Sequence, residues 1–192
     1  VVRRTGDPVV EGTVLALGSY EDALEAVGAR AAVVFADHDV SWALVKYFCA
    51  MVRDANASYW DDELARQVWG DIVAPPAMLM TWALAPEWAP WHGGPAPLLL
   101  ADVPLPGTSA ISTDCEAEFF RPVRVGDRLS MEETVVSVSP RKQTRLGPGH
   151  FVTTEATYRS QEGELVARYR HVLLRFTPEP AGAPDPPPTA GR

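Results

Sequence analysis

The sequence predicts an α+β domain in which a helix packs on a curled antiparallel sheet. Three observations predict it. Helical periodicity and helix start signals occupy the first half of the chain. From Asp114 onward the pattern changes to extended runs separated by turn residues. Between the two halves, Ala77 to Leu84 (AMLMTWAL) is almost wholly apolar and follows Pro75-Pro76. Proline in a first helical turn costs no hydrogen bond, so this segment reads as a buried helix entered by prolines.

In chain order, Asp22 to Arg30 is a short helical candidate, and Ala31 to Phe35 reads as a buried strand. Asp39 or Ser41 is the N-cap of the next helix. Leu44, Phe48, Met51 and Ala55 fall on one face of it, with Val45, Cys49 and Val52 beside them, and it should end near Asp54. A second short helix runs from Asp61 to Trp69, closed by Gly70. Residues 85–113 read as a loop rich in proline and glycine, and loops of that length usually serve binding or contact. Cys115–Phe120, Asp127–Ser139, Phe151–Ser160 and Glu164–Phe176 read as strands, with Gly147-Pro148-Gly149 as a hairpin turn. The alternation from Phe151 to Tyr158 marks a sheet with one wet face. One domain over residues 1–176 is expected, and residues 177–192 read as a proline-rich tail or linker.

Composition bounds the function. The chain has 192 residues, 46% hydrophobic and 22% charged, which excludes disorder throughout. No apolar run approaches the roughly 20 residues needed to cross a bilayer, and no apolar stretch follows Arg3-Arg4 as a signal peptide requires. Two cysteines, Cys49 and Cys115, build neither a disulfide framework nor a zinc site, so a cytoplasmic location is expected. The net charge of −8 disfavours nonspecific nucleic-acid binding. Proline is the skewed residue, 18 in all, with eight between Pro75 and Pro106 and six between Pro178 and Pro188.

Conventional catalytic signatures are missing: G-x-S-x-G, the Walker loop, G-x-G-x-x-G and H-E-x-x-H. His38, His92, His150 and His171 share no metal-ligand spacing, so no metal is expected and each reads as structural or solvent-facing. The informative stretch is Val52 to Met78, VRDANASYWDDELARQVWGDIVAPPAM, together with Phe119 to Asp127, FFRPVRVGD. It resembles the signature of the MaoC-like acyl-CoA hydratases. In that family the first motif runs Gly-Asp-x-Asn-Pro-x-His and leads through a short helix to Ile-Val-His-Gly-Met. The second is a Pro-Val-x-Val-Gly-Asp turn. The resemblance covers roughly residues 38–176 and implies a hotdog fold, a long central helix wrapped by a curled antiparallel sheet.

The departures from the pattern carry as much meaning. Asp54 and Asn56 match the family's Asp and Asn, but Tyr59 stands at the His position. A phenol with a pKa near 10 is a poor base at neutral pH. Aligning Ile72-Val73 puts Ala74 on the second His and Pro75 on the Gly, whose N–H resembles an oxyanion donor for the thioester carbonyl. Proline has no N–H. On the residues alone, Asp54 also reads as a helix terminator, Asn56 as a turn residue and Tyr59 as a packing residue.

Tyr59-Trp60-Asp61-Asp62, Ala74-Pro75-Pro76-Ala77-Met78 and Lys142 to Phe151 (KQTRLGPGHF) are similar to the FAS1-like, N-terminal-half type of MaoC domain. This type occurs in the large subunits of actinobacterial heteromeric hydratases acting on steroid side-chain enoyl-CoA esters. The resemblance implies a degenerate hotdog, inactive alone, whose partner hotdog carries an Asp-x4-His pair. It also implies a coenzyme A thioester substrate without other cofactor, and a further domain that tethers a thiolase-like lyase. Arg141, Lys142 and Arg145 read either as contacts for coenzyme A phosphates or as a solvated hairpin. All six tryptophans lie within residues 42–91; core packing absorbs some, and the rest, with Trp82 taken among them, read as lining for a wide apolar cavity or an interface. Two other readings stay open: a self-sufficient hydratase, dehydratase or thioesterase using Asp54, Tyr59 or Glu87/His92, and a scaffold for an acyl-CoA lyase.

Overall fold

The computed structural model describes residues 15–83 and 99–178. Predicted features at Glu87, Trp88, Trp91, His92 and the tail from 179 onward lie outside the described residues.

Ser19 opens the first helix, α1 (Tyr20–Glu25), through a reciprocal cap. Its hydroxyl accepts from the Asp22 N–H at 3.1 Å, and the Asp22 carboxylate accepts from the Ser19 N–H at 2.8 Å. Such a cap fixes the start of a helix, which is why α1 begins two residues before the expected Asp22. It ends at Glu25, well short of Arg30. The expected buried strand 31–35 shrinks to β1 (Val34–Phe35), an edge strand with Phe35 mostly exposed.

Helix α2 (Trp42–Val52) is capped at Ser41 and stops two residues before the expected Asp54, because Arg53 turns left-handed at φ 59°. Its buried side is Val45 and Cys49; Leu44 and Met51 face outward. The run is apolar nearly all round, so periodicity alone does not choose the face. Helix α3 (Asp62–Trp69) ends where expected and starts one residue later, with Asp61 as its cap. The Asp61 carboxylate accepts from two amides at 3.0 and 3.1 Å, and Gly70 closes the helix at φ 78°. The central helix enters through a 3-10 turn, Pro76–Met78, and continues as α4 (Leu79–Ala83).

Within the predicted loop, residues Leu99–Asp102 form a short helix, α5, and the first long strand, β2 (Ser109–Phe119), starts five residues before Asp114. β2 is exposed along nearly all of both faces, so its sequence shows no inward-outward alternation. The other strands are β3 (Ser130–Val138), β4 (Lys142–Thr144), β5 (Gly147–Arg159) and β6 (Leu165–Phe176). The order is β1-β3-β5-β6-β2, all antiparallel, with β4 paired to the start of β5. Register shifts at Ser112/Asp114, Val135/Ser137 and Tyr158/Arg159 bend the strands and curl the sheet.

Gly147-Pro148-Gly149 belongs to β5, and the hairpin turn is Arg145-Leu146. Gly149 sits where a Cβ would run into the Arg175 carbonyl of β6, so close strand approach explains that glycine. The expected wet face of β5 is not found: no residue from Phe151 to Tyr158 is exposed, and Thr153 on that face is buried. Val152, Thr154, Ala156 and Tyr158 are buried, while Phe151, Glu155 and Thr157 are half-buried. Met78, Leu79, Trp82 and Ala83 of the central helix pack with Met131, Ala156, Tyr158 and Ala167 of the sheet, which is the expected helix-in-sheet arrangement. A second cluster around Leu105, Val138, Val152 and Leu173 fills the other end.

Candidate functional site

The chain leaves α2 through a tight local network. The Asp54 N–H donates to the Cys49 carbonyl at 2.9 Å, and the Asp54 carboxylate accepts from the Asn56 N–H at 2.9 Å. Asn56 in turn caps the 3-10 turn Ala57–Tyr59, its side-chain oxygen accepting from the Ser58 N–H at 3.1 Å. Three indoles clamp this corner. Trp60 donates to the Asp54 carbonyl at 2.8 Å, Trp42 to the Tyr59 carbonyl at 3.3 Å, and Trp69 to the Ser58 hydroxyl at 3.1 Å. Asp54, Asn56 and Tyr59 therefore come together, with both polar side chains engaged in shaping the backbone.

Tyr59 is buried, and burial pushes its phenol upward, reinforced by the nearby Asp54 carboxylate. The Cys49 thiol moves up for the same two reasons. Neither group is driven toward the ionised form that a base or nucleophile needs.

The Ile72–Ala74 segment reaches the same core cluster from the other side. The Ala74 N–H donates to the Val123 carbonyl at 2.8 Å, and the Val125 N–H donates to the Ile72 carbonyl at 2.9 Å. The two sequence segments that carry the family resemblance are thus bonded to each other. Pro75 follows, buried, with its carbonyl accepting from the Met78 N–H at 3.0 Å. Neither Pro75 nor Pro76 has an N–H, so the first amide at the entrance of the central helix is that of Ala77.

The basic residues lie elsewhere. Arg141, Lys142 and Arg145 sit exposed on the β4–β5 hairpin, where Lys142 pairs with Gly149. Tyr158, which belongs to the cluster containing Tyr59, is nine residues further along the same strand, at most about 30 Å at the rise of a β-strand. The structure does not bring the cations to the Asp54 corner. Arg141 instead borders a cavity of about 230 Å3 with Pro106, Pro148, Gly149, His150 and Thr177. Trp82 is 1% exposed within the core, and its indole N–H has no partner among the described residues. No group of three or more metal-binding side chains occurs among the described residues, and no described helix is long and apolar enough to cross a membrane.

One grouping escaped the sequence reading: Glu133 and Tyr169 share a small cleft on the inner face of the sheet with Tyr158 and His171. The available signal was parity. Glu133 stands between Met131 and Val135 at an inward position of β3, where an acid is out of place.

A family model described as the FAS1-like dehydratase domain region matches residues 26–169. Over 146 residues the chain is 40% identical to a probable enoyl-CoA hydratase alpha subunit of Thermomonospora curvata, covering 71% of this chain and 44% of that protein. Over 153 residues it is 30% identical to the 3-oxo-4,17-pregnadiene-20-carboxyl-CoA hydratase alpha subunit of Mycobacterium tuberculosis, covering 76% of this chain and 47% of that one. The chain therefore spans less than half the length of the curated relatives it matches. Among solved structures it is similar to a chain of the ChsH1-ChsH2 complex of Mycobacterium tuberculosis. The TM-score is 0.67 at 25% identity, covering 85% of this chain and 91% of that chain. It is also similar to a MaoC-like dehydratase from Rhodospirillum rubrum, with a TM-score of 0.56 at 25% identity over 81% and 95% of the two chains.

Proposed function

The chain belongs to the FAS1-like dehydratase family of MaoC-like hotdog domains, and from that premise we propose that it is the non-catalytic subunit of a heteromeric enoyl-CoA hydratase. In this reading a partner hotdog supplies the Asp-x4-His pair and the oxyanion amide, while this chain shapes the acyl pocket. The observation that carries it is the pairing of a buried, unactivated Tyr59 with an amide-less Pro75 at the two positions where the family's chemistry needs a base and a donor. A missing acid/base partner typically costs about 10²–10⁴ in rate. A missing oxyanion donor costs about 10²–10³. Either loss is enough to disable the chain by itself.

The long edge of β2 supports a hotdog partner. It runs for eleven residues, and among the described residues only β6 pairs with it. A strand edge of that length is a liability unless another element covers it. Relatives named as alpha subunits support the same reading, as does a similar chain solved within a two-component complex.

The substrate would be a coenzyme A thioester with no further cofactor, its phosphates met by Arg141, Lys142 and Arg145. Trp82 belongs to the apolar wall behind the acyl pocket. A steroid side-chain enoyl-CoA is the acyl class suggested by a relative. The remaining parts of the reading are a cytoplasmic location, a single domain over 1–176 and a thiolase-like lyase held through a further domain.

The test is hydration of crotonyl-CoA and of a steroid enoyl-CoA, followed by loss of enoyl absorbance. The purified full-length protein should show negligible turnover until the partner hotdog is added. Strong turnover by this chain alone overturns the proposal and favours a self-sufficient site at Asp54.

A further inference from the structure

The inner face of the sheet holds a carboxyl group where packing calls for an apolar one. Glu133 is 5% exposed, and one of its carboxylate oxygens accepts from the Leu99 N–H at 2.8 Å. Among the described residues no lysine or arginine forms an ion pair with it. A buried carboxyl group is costly unless its oxygens have partners, and such groups persist where something satisfies them.

Strand register shows why there is room beside it. Ala156 stands directly opposite both Glu133 on β3 and Tyr169 on β6. Its small side chain leaves a gap between the two long polar ones. Thr154, opposite His171, and Tyr158 border the gap, and Met80 of the central helix closes it from above. The resulting cleft is about 20 Å3, room for one oxygen-sized group. His171 is held in place by Ser112, with Nε2 to Oγ at 2.7 Å.

The donor and acceptor inventory selects the occupant. Burial pushes the Tyr169 phenol up to about 12 and Tyr158 higher still, so both stay neutral. Glu133, when ionised, only accepts. A hydroxyl both gives a proton to a carboxylate and takes one from a phenol. A carbonyl oxygen only accepts, and it would face the carboxylate with nothing to donate. The surrounding Met80, Met131 and Ala156 suit hydrocarbon.

We propose that this cleft is a subsite for a hydroxyl group carried by the acyl chain of the bound thioester, lined by Glu133, Tyr158, Tyr169 and His171. The proposal rests on the acyl-CoA reading above. It places a specificity-determining pocket on this chain, apart from the Asp54 corner.

The test uses saturated acyl-CoA thioesters of graded length, each in plain, ω-hydroxy and ω-oxo form, titrated calorimetrically into the full-length protein. At one chain length the hydroxy form should bind about tenfold tighter than the plain form, with the oxo form gaining little. In Glu133→Gln, which keeps an acceptor for the Leu99 N–H, that preference should fall to about twofold or less. Tyr158→Phe should lower it in the same way and serves if the first variant fails to fold. Equal binding of all three forms at every length overturns the subsite and leaves the acyl-CoA reading standing, the cleft then holding only water. No binding of any thioester overturns both.

Discussion

Arg121 grips Asp127 with two parallel hydrogen bonds, at 2.7 and 3.0 Å, and both side chains are about nine-tenths buried. The same Asp127 carboxylate accepts from the Arg124 N–H at 2.7 Å, closing the turn in which Gly126 sits at φ 92°. Arg121 also reaches Glu164 at 2.7 Å. Its guanidinium is pushed up chiefly by the hydrogen bonds to Asp127. The Gly-Asp turn that marks the family in sequence is therefore a structural clamp. It joins the turn to the segment that leads into the central helix, through Val125 and Ile72.

Breaking a buried pair by removing one partner strands the other charge, at a cost of about 3–5 kcal/mol. Asp127→Ala should lose less than that in urea unfolding, about 2–3 kcal/mol, because it leaves the Arg124 amide unpaired while Arg121 keeps its contact with Glu164. Asp127→Asn keeps an acceptor for the amide and should lose less.

Arg175 is fully buried and binds no acid among the described residues. Its guanidinium donates to the carbonyls of Ala16, Val103, Leu105 and Gly107 at 2.9 to 3.4 Å, while Nε has no partner. It gathers two distant chain segments around one planar fork, a task the point charge of lysine cannot copy. Arg175→Lys should destabilise the fold by about 2–3 kcal/mol, at the level of lost charge-assisted hydrogen bonds. Limited proteolysis should then cut first between Ala16 and Ala23 or between Val103 and Gly107.

His171 has its pKa lowered by burial, an effect that the Glu133 charge only partly offsets. Its folded value lies below its unfolded one, so the unfolded chain takes the proton first as pH falls. The stability of the neutral form is present above the ordinary histidine value of about 6.5 and is lost as pH drops through the folded pKa. The melting temperature should fall on acidification from pH about 7.5 to about 5.5. His171→Gln should flatten that slope.

Much of the fold is legible in the sequence where local chemistry is decisive. Asp61 and Gly70 bracket α3 because a carboxylate cap and a left-handed glycine are local devices. The central helix follows from Pro75-Pro76 and an apolar run. What sequence leaves open depends on long-range partners. The buried side of α2 is set by what packs on Val45 and Cys49, and β2 is a strand because β6 pairs with it along its length. At the site, the substitutions at Tyr59 and Pro75 are readable directly. The cleft at Glu133 is not, because it depends on Ala156 facing two strands at once.

The division of labour between the subunits is read from the steady-state rate of the reconstituted pair with the motif carboxylate neutralised in each subunit in turn. Asp54→Asn keeps the oxygen that accepts from the Asn56 N–H and removes only the charge. This variant should keep a kcat within about twofold of that of the unmodified pair. The matching Asp→Asn change in the partner's Asp-x4-His motif should lower kcat by at least about 10². A fall of that size on Asp54→Asn, with the partner's change tolerated, would contradict that division of labour.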